Sequence, residues 1–126
     1  MSVLIAPAKA ALVFLVDGGG EAITSGVKGY LRVPFNCTIE RVTLAADQVG
    51  SIQVDIWKST YAAFPPTDAG SITGGNEPEI TGSNKGEDAS LTGWSTNLNE
   101  GDILAFNVDN AVGIARVTIS LQVRKR

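Results

Sequence analysis

The chain has 126 residues, 44% of them hydrophobic and 18% charged, enough for one domain with its own core and too few for two of ordinary size. It has no His, and Cys37 is its single cysteine, which excludes Ser-His-Asp catalysis, histidine-ligated zinc and an intrachain disulfide. The formal net charge of −3 argues against a nucleic-acid partner. The apolar run at residues 10–16 is far shorter than the roughly 20 residues of a membrane span, so no membrane partner is expected.

The dominant hydrophobic period in the first half of the chain is two residues, which indicates β-strands. Residues 12–17 form a nearly continuous apolar run, which suits a strand buried on both faces or one covered by a partner. Residues 29–35 place Leu31 and Val33 on one face. Within residues 37–46 the apolar parity changes, and a β-bulge near Glu40 and Arg41 would restore the register.

Most of the second half continues the same period. Three segments alternate between apolar and polar residues: 51–58, 102–109 and 116–123. Residues 90–98 are predicted as a further strand. Residues 61–89 contain many turn residues, and we expect one short strand there, at 71–73 or 79–81.

Seven or eight short strands separated by turns predict an all-β fold, a single antiparallel β-sandwich with a jelly roll as its expected form and negligible helix. The domain is predicted to span residues 11–126, preceded by an N-terminal arm at residues 1–10. The predicted core consists of Leu31, Val33, Ile52, Val54, Ile56, Leu104, Phe106, Val117, Ile119 and Leu121.

Both chain ends are candidate attachment segments. The arm is too apolar for a free tail, which favours docking on a neighbouring subunit, although a frayed terminus is the alternative. The basic C-terminus is either a solvated end or a contact to an acidic shell of another protein. The predicted attachment residues are Val3, Leu4, Ile5, Arg124, Lys125 and Arg126.

Acidic side chains concentrate in residues 66–110, which hold eight acids and one base, Lys85. Carboxylate-rich loops can hold calcium, but nothing here matches the spacing of an EF-hand loop. No spacing of two carboxylates indicates glycoside hydrolysis either. We therefore predict solvated loop charge, no metal, no cofactor and no enzymatic activity.

Aromatic side chains are the candidate ligand-binding groups. Trp57 has the polar parity of its strand, Tyr61 and Phe64 follow it, and Trp94 lies on another predicted strand. Flat rings on a β-sheet can stack on sugars while neighbouring amides and carboxylates supply hydrogen bonds. The alternative is that these rings cover an open end of the sandwich or a subunit interface.

Several segments carry a resemblance to a known group of proteins. VDGGG at residues 16–20, VDIWK at 54–58, YAAFPPT at 61–67, LTGW at 91–94 and GDILAFNVD at 101–109 are the clearest. Over residues 16–123 the chain resembles a widespread group of small bacteriophage proteins, described as virion or tail-fibre-associated proteins. The resemblance implies a structural protein on the virion surface, folded in the host cytoplasm before assembly.

Within that group, the absence of a long shaft favours a capsid decoration protein or head spike that binds and reinforces the shell. The alternative is a tail-fibre or receptor-binding module that recognises host-surface glycans. The apolar first strand, the apolar arm and the low surface charge predict a homo-oligomer. The resemblance implies a trimer, with the major capsid protein as a further partner.

Overall fold

The computed structural model describes residues 8–126, so the predicted attachment residues Val3, Leu4 and Ile5 lie outside it. The described chain is all-β, as predicted, and its only helical element is a single 3-10 turn at Asp68–Gly70. No helix in it is long and apolar enough to cross a membrane. The strands are β1 (Lys9–Asp17), β2 (Gly26–Arg32), β3 (Cys37–Ser59), β4 (Glu79–Asp88), β5 (Asn97–Leu98), β6 (Ile103–Val112) and β7 (Arg116–Lys125).

All seven strands belong to one antiparallel sheet in the order β1-β7-β3-β6-β2, with β4 and β5 paired to β3 outside this path. The sheet curls into half a barrel, and the predicted sandwich and jelly roll are not confirmed. The reason is the 23-residue strand β3. Its first part, from Cys37 to Ala46, pairs with β7, and its second part, from Ser51 to Ser59, pairs with β6. One strand thus belongs to both halves of the sheet.

The bend lies between these two parts of β3. A Cβ atom at Gly50 would overlap the carbonyl oxygen of Val112, so only glycine allows the two strands to approach here. The carboxylate of Asp47 accepts hydrogen bonds from the backbone N–H groups of Ala115 and Arg116, at 3.2 and 3.0 Å. These contacts hold the β6–β7 turn against the bend.

The predicted bulge is confirmed, because the register between β3 and β7 shifts between Ile39 and Arg41. The predicted core is also confirmed except at Leu31, which is only partly buried and packs against it. The partly buried Phe14 ring packs against this core and stacks on the buried Phe106 ring, with centroids 4.4 Å apart. This contact joins β1 to β6, strands from the two halves of the curled sheet.

Strand β1 is not buried on both faces. Leu12 and Val16 point into the core, whereas Val13 and Leu15 are 52% and 50% exposed. The physical reason is that β1 ends the sheet path, and no described segment covers its outer face. Coverage by a partner, the other interpretation of this apolar run, stays a prediction.

Two other strand predictions are confirmed only in part, since the short strand expected at 71–73 or 79–81 is present at the second position but is longer. Strand β4 continues from Glu79 to Asp88 through GSNKG, a sequence typical of a turn, because its backbone follows the bend of β3. The strand predicted at residues 90–98 is reduced to β5. Before it, Leu91 has a φ of +49° and accepts a hydrogen bond from the N–H of Trp94 at 3.1 Å, which makes a turn.

Candidate functional site

The outer face of β2 and the loop after β3 carry a surface formed by Tyr30, Tyr61 and Phe64, here called the aromatic patch. These side chains are 48%, 77% and 47% exposed. The rings of Tyr30 and Phe64 meet edge to face, with centroids 4.8 Å apart. Tyr61 belongs to the same turn as Phe64, whose N–H donates to the Tyr61 carbonyl at 3.3 Å. Exposed rings fixed in this way can stack on a flat apolar ligand face.

The loop that carries Phe64 is fixed to β3 by the buried carboxylate of Asp55, which is 9% exposed. Its Oδ1 accepts from the Ser71 hydroxyl at 2.7 Å, the Thr73 hydroxyl at 2.9 Å and the Ile56 N–H at 2.9 Å. Its Oδ2 accepts from the indole N–H of Trp57 at 2.9 Å. Hydrogen bonds to both oxygens offset the cost of burying this charge.

The structure therefore places the four aromatic residues predicted to bind a ligand in two different environments. Tyr61 and Phe64 lie in the aromatic patch. Trp57 is partly buried, and its indole N–H donates a hydrogen bond to Asp55. Trp94 is partly buried against the core, and its indole N–H donates to the Asn76 carbonyl at 2.9 Å. Both indole N–H groups are thus used within the chain, and ligand binding by the four aromatic residues stays a prediction.

Tyr30 was missing from the prediction. A signal for it was present, because Leu31, Val33 and Phe35 share one parity and Tyr30 has the other. The register places Tyr30 opposite Ala105, and Ala105 opposite Trp57. Tyr30 and Trp57 therefore have the same outward parity on the two sides of β6.

An acidic cleft of about 430 Å³ lies between β3, β4 and the loop at residues 75–78. The buried side chains of Val42 and Leu44 lie at its inner wall. Its acidic residues all come from the segment that the sequence marks as acid-rich: Glu77, Glu79, Glu87 and Asp88. Glu87 also pairs with Arg41 at 3.2 Å, which neutralises part of the charge. The remaining charge suits a cationic group.

Three carboxylates, those of Asp55, Glu77 and Asp109, converge to within 4.8 Å of one another. Each already accepts a hydrogen bond from a protein group. Glu77 accepts from the Gln53 amide at 3.1 Å and Asp109 from the Asn107 amide at 2.8 Å, while Asp55 has the donors given above. Each of the three carboxylates thus has a partner within the chain, and we assign no metal here.

The three basic C-terminal residues all have partners within the chain. Arg124 pairs with Glu40 at 3.5 Å, and the ammonium of Lys125 lies 4.5 Å from the centroid of the Phe35 ring. The guanidinium of Arg126 donates to the Leu98 carbonyl at 2.7 Å. These residues fix the end of β7 to the sheet. Their role in shell attachment stays a prediction.

Comparisons with known proteins add little to this geometry. Neither a protein-family model nor a curated protein matches the sequence. Among solved structures, the crystal structure of the SPBc2 prophage-derived protein YomS is similar, with 11% sequence identity and a TM-score of 0.39. The match covers 97% of this chain and 99% of that one. A structural neighbour therefore comes from a prophage, but a likeness this weak carries no argument.

Proposed function

We propose that this protein is a non-enzymatic structural protein of a bacteriophage particle, displayed on the virion surface as a capsid decoration protein or head spike. The proposal rests on the resemblance of residues 16–123 to small phage virion proteins. One structural observation supports treating the resembling segments as a unit. VDIWK in β3 pairs directly with ILAFNVD in β6, with Ile56 opposite Phe106 and Val54 opposite Val108.

Two further segments that carry the resemblance lie near this pair of strands. One is SITGG, at residues 71–75, which joins β3 through the bridge between Ser71 and Trp57. LTGW ends at Trp94, which donates to the Asn76 carbonyl just after SITGG. Segments far apart in the sequence thus form one framework, which supports a shared fold behind the resemblance.

Attachment to the shell is proposed to use the N-terminal arm. Its apolar residues Val3, Leu4 and Ile5 precede β1, which begins at Lys9. The exposed charge near this end is basic, since the Arg124 side chain is 48% exposed even in its ion pair. In this arrangement the major capsid protein is the partner.

The test uses phage particles assembled without this protein, to which the purified tagged chain is added before sedimentation and electron microscopy. We expect many copies on the head lattice. A variant lacking residues 1–7 keeps β1 whole and is expected to stay folded but lose attachment. Truncated protein that binds particles with unchanged affinity would refute the arm as the attachment segment. Full-length protein that does not sediment with any particle would refute the virion assignment.

A second candidate function is recognition of host-surface glycans by a tail-fibre or receptor-binding module. The observation that favours it is the exposed edge-to-face pair of Tyr30 and Phe64 beside Tyr61. A few copies at the tail in the same micrographs would support this alternative. So would binding to host surface polysaccharide that Tyr30→Ala and Phe64→Ala abolish and Val49→Ala, at an exposed position outside the patch, leaves unchanged.

A further inference from the structure

Strand β1 is a regular strand, and one of its edges pairs with no other strand of the described residues 8–126. It pairs with β7 through nine consecutive residue pairs without a register shift, and it ends the sheet path of the described chain. It contains no proline, and its outer face presents Val13 and Leu15 half exposed. Natural edge strands are usually protected by prolines, bulges or inward-pointing charges, because an unprotected edge pairs with other strands.

The outward residues of β1 are complementary to themselves. If two copies of β1 pair antiparallel about Val13, Lys9 lies opposite Asp17 of the second copy at both ends. Ala11 then lies opposite Leu15, and Val13 opposite Val13. Opposed residues of an antiparallel pair share a face, so opposite charges meet at both ends and Leu15 meets the small side chain of Ala11. A register centred on Ala11 or Leu15 brings Val13 opposite a charged residue and loses this match.

The two charged residues have internal partners, but these contacts are weak. Lys9 lies 3.4 Å from Glu40 with its side chain 60% exposed. Asp17 lies 3.5 Å from Arg116 with its side chain 44% exposed. Ion pairs this exposed contribute little to stability, and both groups retain solvent-facing surface for a second partner.

We propose that two copies of this protein form a two-fold dimer in which their β1 strands pair antiparallel about Val13, so that one sheet runs through both. The occupant of the β1 edge is thus a second copy of the chain. Each β1 has one free edge, so this contact closes at two copies and differs from the trimer that the resemblance implies. The inference does not depend on the proposed virion function.

Register is tested by single cysteines. Val13→Cys places the two thiols opposite each other, within the 4.4–6.8 Å Cα separation that a disulfide typically spans, and mild oxidation should give a covalent dimer. In Leu15→Cys the two thiols lie four residues apart along the strands, about 13 Å, and should not cross-link. The double variant Ala11→Cys/Leu15→Cys should cross-link again.

Cys37 does not confuse this test. It is fully buried, and burial raises the pKa of its thiol, so little reactive thiolate forms near neutral pH. Cross-linking of Leu15→Cys as efficient as that of Val13→Cys would overturn the proposed register.

Oligomeric mass is tested by light scattering. The wild-type chain of 13.1 kDa should give a particle of twice that mass at tens of micromolar. Val13→Asp should give a folded monomer, because it places two like charges at the centre of the contact. Val49→Asp is the matched control, since Val49 is 67% exposed but lies at the bend of β3. A wild-type monomer, or a particle of three chain masses, would overturn the dimer.

Charge reversal tests the two ends of the contact. Lys9→Glu alone and Asp17→Lys alone each create two like-charge pairs per dimer and should weaken dimerisation by about tenfold. The double variant Lys9→Glu/Asp17→Lys should recover most of this loss. It also converts both internal pairs into like-charge contacts, so its recovery can come only from the second copy. A double variant weaker than either single one would refute the pairing.

Discussion

The two ends of the sheet path differ in how well they are protected against further pairing. Strand β1 keeps one register over its whole length, whereas the register of β2 shifts between Val27 and Gly29. Gly26 and Gly29 have φ angles of +118° and +154°, and the Tyr30 and Phe64 rings pack together on the outer face. The bulge interrupts the regular pairing surface of the edge at β2, which protects it from a further strand. The molecule thus has one end open to another strand and one end suited to a ligand.

The difference between the β1 and β2 edges is related to a side-chain contact on the inner face of both strands. A Cβ atom at Gly29 would lie 2.7 Å from Cζ of Phe14, and Phe14 stacks on Phe106. The large ring on β1 therefore requires a glycine in β2, where the register shifts. The regular edge and the irregular one depend on the same contact.

The largest expected effect is at Phe106, which supports both ends. Phe106→Ala should lower the free energy of unfolding by about 3–5 kcal/mol, through lost transfer free energy and a cavity beside Phe14. Urea denaturation followed by tryptophan fluorescence measures it. The control is Phe64→Ala, whose side chain is 47% exposed and should cost much less. Equal losses of unfolding free energy in the two variants would contradict the assignment of Phe106 to the core and of Phe64 to an exposed surface.

Asp55→Ala should cause the next largest loss of stability. Its structural effect should be confined to the loop that carries Phe64 beside β2. It leaves the Ser71, Thr73 and Trp57 donors without their acceptor, and we expect a loss of about 3 kcal/mol. Proteolysis should become faster within residues 60–76, and β1-mediated association should remain. Asp109→Ala is the control from the same acidic cluster, since Asp109 is exposed. A loss as large in the control would contradict the anchoring role of Asp55.

Gly29→Ala should destabilise by about 1–3 kcal/mol, because the new methyl group overlaps the Phe14 ring. Gly26→Ala separates this overlap from backbone strain. Gly26 also has a positive φ, but a Cβ there meets nothing within 4 Å, so this variant should cost less. In a Phe14→Leu background the cost of Gly29→Ala should shrink, which a double-mutant cycle of thermal unfolding measures. Strict additivity would show that the two residues are not coupled.

The smallest effect concerns the ion pair of Arg41 and Glu87, which are 45% and 51% exposed. Glu87→Gln should cost about 0.2–1 kcal/mol. The difference from wild type should shrink between 0.05 and 0.5 M salt, roughly, as the Debye length falls. A difference independent of salt would point instead to the hydrogen bond from the Thr43 hydroxyl, at 3.0 Å.

The periodicity of the sequence predicted the β class, nearly all of the core and the bulge after Ile39. Those features depend on which side chains avoid water, and a single sequence carries that information. The curled sheet was not predicted, because both parts of β3 have a strand period and nothing at residues 47–49 distinguishes a bend from a turn. Strand β4 was expected only as a short strand, and its continuation to Asp88 was missed because an edge strand can pair through its backbone whatever its side chains prefer.

The candidate site was predicted in part. Tyr61 and Phe64 follow an outward-facing Trp57, so their exposure was foreseeable. The hydrogen bond from Trp57 to Asp55 was not foreseeable. The other partners of Asp55, Ser71 and Thr73, reach its carboxylate only after the loop folds back over β3. Predicting Tyr30 as part of the aromatic patch required knowing that β2 lies beside β6, and strand order is not encoded in periodicity.

The two ends of the described chain leave the sheet side by side. Lys9 lies opposite Arg124 in the β1–β7 ladder, and the N–H of Lys125 donates to the Ala8 carbonyl at 2.9 Å. Tension applied between these ends pulls across the backbone hydrogen bonds of the ladder, since these lie perpendicular to antiparallel strands. The ladder would then open like a zipper, one residue pair after another, and β1 would peel off under a small force while β3 remained within the sheet.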